Sequence, residues 1–294
     1  MNKTWLILDC NYLCHRAKHS IGGLSYGGTP TGVIYGFLRS LPSLQNMGNF
    51  FKDTSHFVFC WDSTSSKREE IFSDYKKSRR MRHKEWAPEE KEFENAFRNQ
   101  MKRLRTMYLR TIGFRNIFWQ KGYESDDIIA SICLHIDDND EAIIVTSDQD
   151  LYQCIRSNVS CYNPQTNKTL TLQGFKKRYD ILPKEWAVVK IIAGCSTDEV
   201  PGVPGVGEKT AIKYLTGELD KHTKTFKKIA TSASFPLYAR NRKLIKLPME
   251  GTHRFRLQDD ELSEEGWRQV TKLLGMRSIR DRMPFYTREK EIKK

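Results

Sequence analysis

Three apolar runs in this chain end in the same way. Trp5-Leu6-Ile7-Leu8 meets Asp9, His56-Phe57-Val58-Phe59-Cys60-Trp61 meets Asp62, and Ala142-Ile143-Ile144-Val145 passes through Thr146-Ser147 into Asp148. Short continuous apolar runs without alternation predict parallel strands covered on both faces. The segments between them are long enough for helical crossovers, and Thr31-Gly32 to Leu41 is one candidate. Phe93, Phe97, Met101, Leu104 and Tyr108 recur at helical spacing, which predicts an amphipathic helix over residues 90–110 with that stripe in the core. Asp126-Asp127-Ile128-Ile129-Ala130-Ser131-Ile132 opens another helix with its acids at the favourable end. Strand, helix and strand in succession give an α/β class, and open parallel sheets place ligands at the carboxyl ends of their strands. Three acids at three strand ends then converge on one site.

The 294 residues suit two domains or one large one, and bury a core without staples. No apolar run approaches the roughly 20 residues that span a bilayer, and the first apolar stretch meets Asp9 too early for a signal peptide. Seven scattered cysteines without a CxxC pair read as reduced thiols of a cytoplasmic protein. The formal net charge is +13, which favours polyanionic partners. The charges are also segregated. Acids are absent from Asn95 to Tyr123 and from Lys221 to Met249, and Lys76 to Lys84 packs Lys76, Lys77, Arg79, Arg80, Arg82 and Lys84 together. That distribution resembles a phosphate-tracking surface around a carboxylate pocket.

Tyr123-Glu124-Ser125-Asp126-Asp127 is the densest acidic group of the first half, and with Asp9, Asp62, Asp148 and Asp150 it makes a pocket of like charges. Such a pocket needs cations to offset its repulsion. Hard oxygen donors without a His or Cys cluster point to Mg²⁺ or Mn²⁺, and two such ions suit phosphodiester hydrolysis. The second signal is Val200-Pro201-Gly202-Val203-Pro204-Gly205-Val206-Gly207-Glu208-Lys209-Thr210-Ala211. Its glycines allow a tight turn between helices that brings backbone amides close to a phosphate. It lacks the spacing and the preceding strand of an ATP-binding loop.

Together these residues resemble the 5′-nuclease superfamily of flap endonucleases, phage 5′–3′ exonucleases and the 5′-nuclease portion of bacterial DNA polymerase I. The resemblance runs from residue 5 to about residue 215. Leu8-Asp9-Cys10-Asn11 and Phe59-Cys60-Trp61-Asp62 are similar to the family's first two aspartate motifs, with Arg16 at its phosphate-contacting arginine and Pro30 to Phe37 at its first helix. Arg68 through Phe72, then Tyr75-Lys76-Lys77-Ser78-Arg79, resembles its arginine and YKxxR segment. Glu124, Asp126 and Asp127 stand at its ExDD positions, Asp148 and Asp150 at its paired aspartates, and residues 200–211 at its helix-three-turn-helix loop.

The resemblance implies a PIN-like parallel sheet flanked by helices, a helical arch over about residues 64–100, and a nuclease domain over residues 1–184. A helical DNA-binding region of the helix–hairpin–helix type would follow over residues 185–294. It implies that Asp9, Asp62, Glu124, Asp126 and Asp127 hold one divalent ion, and Asp148, Asp150 and Asp198 a second. Lys76 and Arg79 would be catalytic. Arg16, Arg68, Tyr75, Gly202, Gly205, Gly207, Lys209 and Thr210 would contact DNA, with a potassium ion at the hairpin carbonyls. The implied activity is 5′–3′ exonuclease or flap endonuclease on 5′ ends, flaps or nicks of DNA, by a monomer without membrane contact, beside replication or repair proteins. Two alternatives stay open: a catalytically weakened DNA-structure-binding protein, and a nuclease of the same fold that prefers RNA–DNA hybrids. One position departs from the family. Where it has Gly-Asp-x-x-Asp-Asn, this chain has Gly194-Cys195-Ser196-Thr197-Asp198-Glu199. A thiol is a poor Mg²⁺ ligand, so Cys195 weakens the second site, with Asp198 remaining and Glu199 a candidate to reach in.

Overall fold

The computed structural model describes residues 3–45, 55–64, 66–231, 234–280 and 283–284. The chain opens with β1 (Thr4–Asp9), α1 (Cys10–Ile21), a small hairpin of β2 (Ser25–Tyr26) and β3 (Thr29–Pro30), α2 (Gly32–Gln45) and β4 (Ser55–Trp61). Next come α3 (Lys67–Ile71), α4 (Lys77–Glu85) and α5 (Pro88–Arg103), continued by a π-helical turn (Leu104–Tyr108) and α6 (Leu109–Ile112). β5 (Ile117–Trp119), α7 (Ser125–His135), β6 (Glu141–Val145), β7 (Val159–Asn163) and β8 (Lys168–Leu170) complete the sheet. Then follow α8 (Leu172–Tyr179), α9 (Pro183–Ala193), a ribbon of β9 (Gly194–Cys195) and β10 (Val200–Pro201), α10 (Glu208–Leu215), α11 (Lys224–Ala230), α12 (Phe235–Ile245), α13 (Glu264–Leu273) and α14 (Arg277–Arg280).

The sheet order is β5-β4-β1-β6-β7-β8, parallel except for the last strand. The three runs read as strands are β1, β4 and β6 at its centre, and alternate residues of each serve opposite faces. Leu6, Leu8, Phe57, Phe59, Trp61, Ile143 and Val145 join α1, α2, α5 and α6 on one side. Ile7, Val58, Cys60, Ala142 and Ile144 join α7 and α9 on the other. Burial on both faces explains why these strands show no polar alternation. The stripe expected over residues 90–110 is buried at Phe97, Leu104 and Tyr108. Phe93 departs from it: 46% of its surface is exposed, and the Lys18 ammonium lies 5.2 Å from the ring centre.

Residues 246–263 run without regular structure along the β5 edge of the sheet. Tyr123 donates to the Glu250 carbonyl at 3.0 Å, and Ser131 to the His253 carbonyl at 2.6 Å. The Asn116 amide accepts from Gln258 N at 2.8 Å and donates to Gln258 O at 2.7 Å. Gly113, at φ 103°, lets the strap close on the chain, because a Cβ there would lie 1.9 Å from the Glu261 carbonyl oxygen. The strap thus covers this edge of the sheet. Beyond the strap, Trp267, Val270 and Leu274 of α13 and its C-terminal turn return to the α1–α2 side of the core. Of the region expected to bind DNA, residues 232–233, 281–282 and 285–294 lie outside the described residues. No helix among the described residues is long and apolar enough to cross a membrane.

Candidate active site

The carboxyl ends of β1, β4 and β6 form the floor of the site. Asp9 ends β1 and caps α1, accepting from Tyr12 N at 3.1 Å. Asp62 follows β4 and accepts from Ser125 N at 2.7 Å, while its own N–H donates to Asn11 Oδ1 at 3.1 Å. Ser125 also reaches Asp9 Oδ1 with its hydroxyl at 3.4 Å, so one residue at the start of α7 spans both acids. The Thr146 hydroxyl accepts from Asp148 N at 3.1 Å and donates to Asp9 Oδ2 at 3.2 Å.

These groups carry the signature of a cation site. Burial, then the charges of Asp62 and Asp148, pushes Asp9 up to about 7. Burial and Asp150 push Asp148 up to about 6. Asp62 is raised by burial and by Glu124. Asp126 is raised well above the carboxylate range by burial and by Asp148, Asp9, Asp62 and Glu124 together. Four carboxyls that resist ionising together offer hard oxygens, the donor type that a divalent ion neutralises.

A measurable consequence concerns pH. Asp9 and Asp148 hold protons in the folded protein at pH values where an unfolded chain has released them. Their contribution to stability therefore falls as pH rises from about 4 to about 7 in the absence of metal. Asp260 on the strap, raised to about 7 chiefly by burial, acts in the same direction. Divalent-ion binding separates the two effects, because only the site acids then lose protons. Calorimetry in buffers of different ionisation enthalpy is expected to show proton release on metal binding near pH 6.5, with the share from Asp9 and Asp148 shrinking as pH rises past about 7.

Asp127 does not join the cluster. Successive helical side chains diverge by about 100°, and Asp127 is fully buried on the inner side of α7. Its oxygens accept from Arg68 NH1 at 2.6 Å, Arg68 NH2 at 2.8 Å, Met249 N at 2.9 Å and Glu124 N at 3.2 Å. Four donors fill its acceptor positions and leave none for an ion. Arg68 is corrected with it: 2% exposed, it spends its fork on Asp127 and its Nε on the Leu244 carbonyl at 2.8 Å, so it cannot face DNA. Tyr75 is also 2% exposed, its hydroxyl 2.9 Å from Glu124 Oε2 and 3.2 Å from Asp198 Oδ2, so its ring is not open to a base.

Lys76 adopts φ 52°, a left-handed conformation that a non-glycine residue holds at some cost. That turn sets Nζ 3.0 Å from both oxygens of Glu124 and 3.6 Å from Asp198 Oδ1. Burial opposes its charge, but Glu124 and Asp198 outweigh burial and hold Lys76 protonated far above neutrality. Reciprocally, burial would raise Glu124, yet Lys76 and Arg68 bring it below its usual value. Arg79 lies exposed on α4, and its charge acts on Asp198. Arg16 is exposed on α1, where its charge acts on Tyr12 and Tyr162.

Asp150, Cys195 and Asp198 bring their ligand atoms within 4.8 Å of one another. Cys195 Sγ lies 3.8 Å from Asp150 Oδ2 and 3.0 Å from Thr197 Oγ1. Burial and the charges of Asp150 and Asp198 push its thiol up to about 11, so it is neutral at physiological pH. Asp198 is itself raised, by burial first. Glu199 does not reach in: its carboxylate accepts from Ser78 N at 2.7 Å, in the first turn of α4. The sequence reading missed Lys190, which stands 3.0 Å from Asp150 Oδ1 and 2.9 Å from Glu208 Oε1. Its signal was a single cation inside the apolar run Trp186 to Ile192.

In the hairpin, Gly202 serves packing rather than DNA, since a Cβ there would lie 2.1 Å from the Ala193 carbonyl carbon. Gly205, at φ 80°, and Gly207 have open space above them, beside exposed Lys209 and half-buried Thr210 at the start of α10.

Comparison with known proteins agrees with this geometry. Residues 4–180 match the model of the 5′-3′ exonuclease N-terminal resolvase-like domain. A 5′-3′ exonuclease of Aquifex aeolicus is 30% identical over 273 residues, covering 90% of this chain and 86% of its own. A 5′-3′ exonuclease of Bacillus subtilis is 32% identical over 224 residues, covering 73% and 70%. The bacteriophage T5 D15 flap endonuclease, solved with DNA and metal ions, shares the fold with a TM-score of 0.65 at 21% identity, over 84% of this chain and 90% of that one.

Proposed function

The chain belongs to the 5′-3′ exonuclease family, and from that membership we propose that it hydrolyses DNA from 5′ ends and at 5′ flaps, with Mg²⁺ as its working ion. It is a metal-dependent 5′ nuclease. The observation that carries this reading is the cluster of Asp9, Asp62, Asp126 and Asp148, whose carboxyls resist ionising together. These residues, with Glu124, would hold the first ion. Asp150 and Asp198 would hold the second, with Cys195 beside them. Bound there, divalent ions supply the positive charge that activates a water molecule and stabilises a leaving oxygen. The chain's own residues do the rest. Ser125 and Thr146 fix the orientation of the carboxylates, as hydrogen-bonded outer groups do at metal centres, and Asn11 holds the backbone of Asp62. Lys76, held by Glu124 and Asp198, would meet charge developing on the phosphoryl oxygens. Arg79 on α4 and Arg16 on α1 would track the strand, and Gly205, Gly207, Lys209 and Thr210 would receive the duplex backbone, with a potassium ion at the hairpin carbonyls.

The same proposal places residues 1–184 as the nuclease part and 185–294 as the DNA-binding part of a cytoplasmic monomer that works beside replication proteins. A weakened, binding-only protein is the less favoured reading, because the first-ion acids Asp9, Asp62, Glu124 and Asp126 are all present. Substrates carrying a 5′-labelled flap, nick or RNA–DNA hybrid, read for product length, test the substrate preference. Flap and nicked DNA are expected to be cut faster than the hybrid, and the reverse order would favour the RNA-preferring reading.

Cys195 makes a separate prediction about the ion. A neutral thiol supplies neither charge nor hard oxygen to Mg²⁺, whereas Mn²⁺ accepts softer donors more readily. The protein is expected to cleave slowly in Mg²⁺ and to gain disproportionately from Mn²⁺. Cys195→Asp should lower the Mg²⁺ concentration for half-maximal rate by about tenfold, and Cys195→Ser should do so much less. A Mg²⁺ titration of the three proteins checks this, and identical curves would place Cys195 outside the coordination sphere.

A further inference from the structure

Away from the acids, the carboxyl end of the edge strand β5 carries a side chain that the mechanism does not use. Of the six tryptophans, Trp119 alone is exposed, at 41%. Trp5, Trp61, Trp186 and Trp267 are buried in the cores, and Trp86 is half-buried against the His83 ring. The Trp119 indole N–H has no acceptor among the described residues. The Arg105 guanidinium lies 4.8 Å from the ring centre. Arg105 sits in the π-helical turn Leu104–Tyr108, an irregularity that is frequent at functional sites. Neither Arg105 nor the exposed Lys121, two residues beyond the indole, has an ion-pair partner among the described residues, and no acid occurs between Asn95 and Tyr123. A guanidinium on the ring, an ammonium without an ion-pair partner among the described residues and an indole exposed by 41% together make a surface complementary to a polyanion that also carries flat rings.

Its position adds to this. Trp119 lies opposite Trp61 in the parallel register, and the residue after Trp61 is Asp62. Neighbouring strands are about 4.8 Å apart, so Trp119 stands one strand from Asp62 and two from Asp9. An unpaired strand leaving the acids along this rim reaches the indole within a few nucleotides.

We propose that Arg105 and Trp119 form a base-stacking platform that holds an unpaired stretch of the nucleic-acid substrate beside the catalytic acids. The inference rests on the nuclease reading for its ligand, but its test does not need cleavage. In EDTA, oligo(dT) is titrated into the wild-type chain, Trp119→Ala, Trp119→Phe and Arg105→Ala, following tryptophan fluorescence and, independently, the anisotropy of a labelled oligomer. Stacking on one aromatic ring accounts for about a tenfold change in affinity. Wild-type fluorescence is expected to be quenched on binding. Trp119→Phe should lose most of the quenching and keep affinity within about twofold, because a ring remains. Trp119→Ala should bind about tenfold more weakly, and Arg105→Ala severalfold more weakly. Unchanged affinity in Trp119→Ala, or unchanged quenching in Trp119→Phe, overturns the platform. So does a result in which poly-glutamate, and not oligo(dT), binds in a Trp119-dependent way, since the face would then serve an acidic protein. Should Trp119→Ala fail to fold, Trp119→Phe and Arg105→Ala still decide the matter. Should the wild type cut no substrate, the nuclease reading fails while the titration still reads the platform.

Discussion

Asp126→Asn and Asp127→Asn, one residue apart, are expected to move stability in opposite directions. Asp126 is crowded by Asp148, Asp9, Asp62 and Glu124, so removing its charge relieves repulsion and raises the unfolding free energy of the metal-free protein at neutral pH. It also removes an ion ligand, and cleavage should fall by about a thousandfold or more, equivalent to about 4 kcal/mol of transition-state stabilisation. Asp127 instead holds Arg68 in a fully buried two-pronged pair. Breaking such a pair leaves an uncompensated guanidinium and costs about 3–5 kcal/mol. Asp127→Asn should therefore lower stability sharply in urea denaturation, and any loss of cleavage should follow the loss of fold. Equal stability changes in the two variants would mean that the carboxylates are not divided between cluster and pair.

Lys76→Ala is expected to slow single-turnover cleavage by about a hundred- to a thousandfold, the range seen when one preorganised donor to a developing oxyanion is removed. Duplex affinity should change far less, because one phosphate contact among many is lost. The variant also leaves Glu124 and Asp198 without the ammonium that stands 3.0 and 3.6 Å away. Metal binding should therefore tighten in Lys76→Ala even as the rate falls. A rate loss matched by an equal loss of affinity, with metal binding unchanged, would reduce Lys76 to a DNA-binding cation.

The strands that build the floor were legible because both of their faces are buried and each run is followed by an acid. Asp9, Asp62 and Asp148 could be placed together on that pattern alone. Asp126 and Asp127 look equivalent in a string of letters, but a helix turns them about 100° apart, and only one can face the strand ends. Arg68 and Tyr75 read as nucleic-acid contacts from charge and ring. Their burial depends on α7 and α12, which are distant in sequence, since Arg68 meets both Asp127 and the Leu244 carbonyl. Lys190 was hidden by its apolar neighbours, and its partners Asp150 and Glu208 are 40 residues before it and 18 after it. The strap of residues 246–263 carries too little pattern to read, because only Leu247, Met249, Phe255 and Leu257 pack inward and the rest is held by hydrogen bonds to side chains and loops.

The most direct measurement follows one duplex with a 5′ flap, labelled at the flap's 5′ end in one sample and at the 3′ end of the same strand in another, in Mg²⁺ and in EDTA. Mg²⁺ is expected to release the 5′ label in short products while the 3′ label stays in a long fragment, and EDTA is expected to stop both. Release of the 3′ label first, or cleavage that persists in EDTA, would contradict a metal-dependent 5′ nuclease.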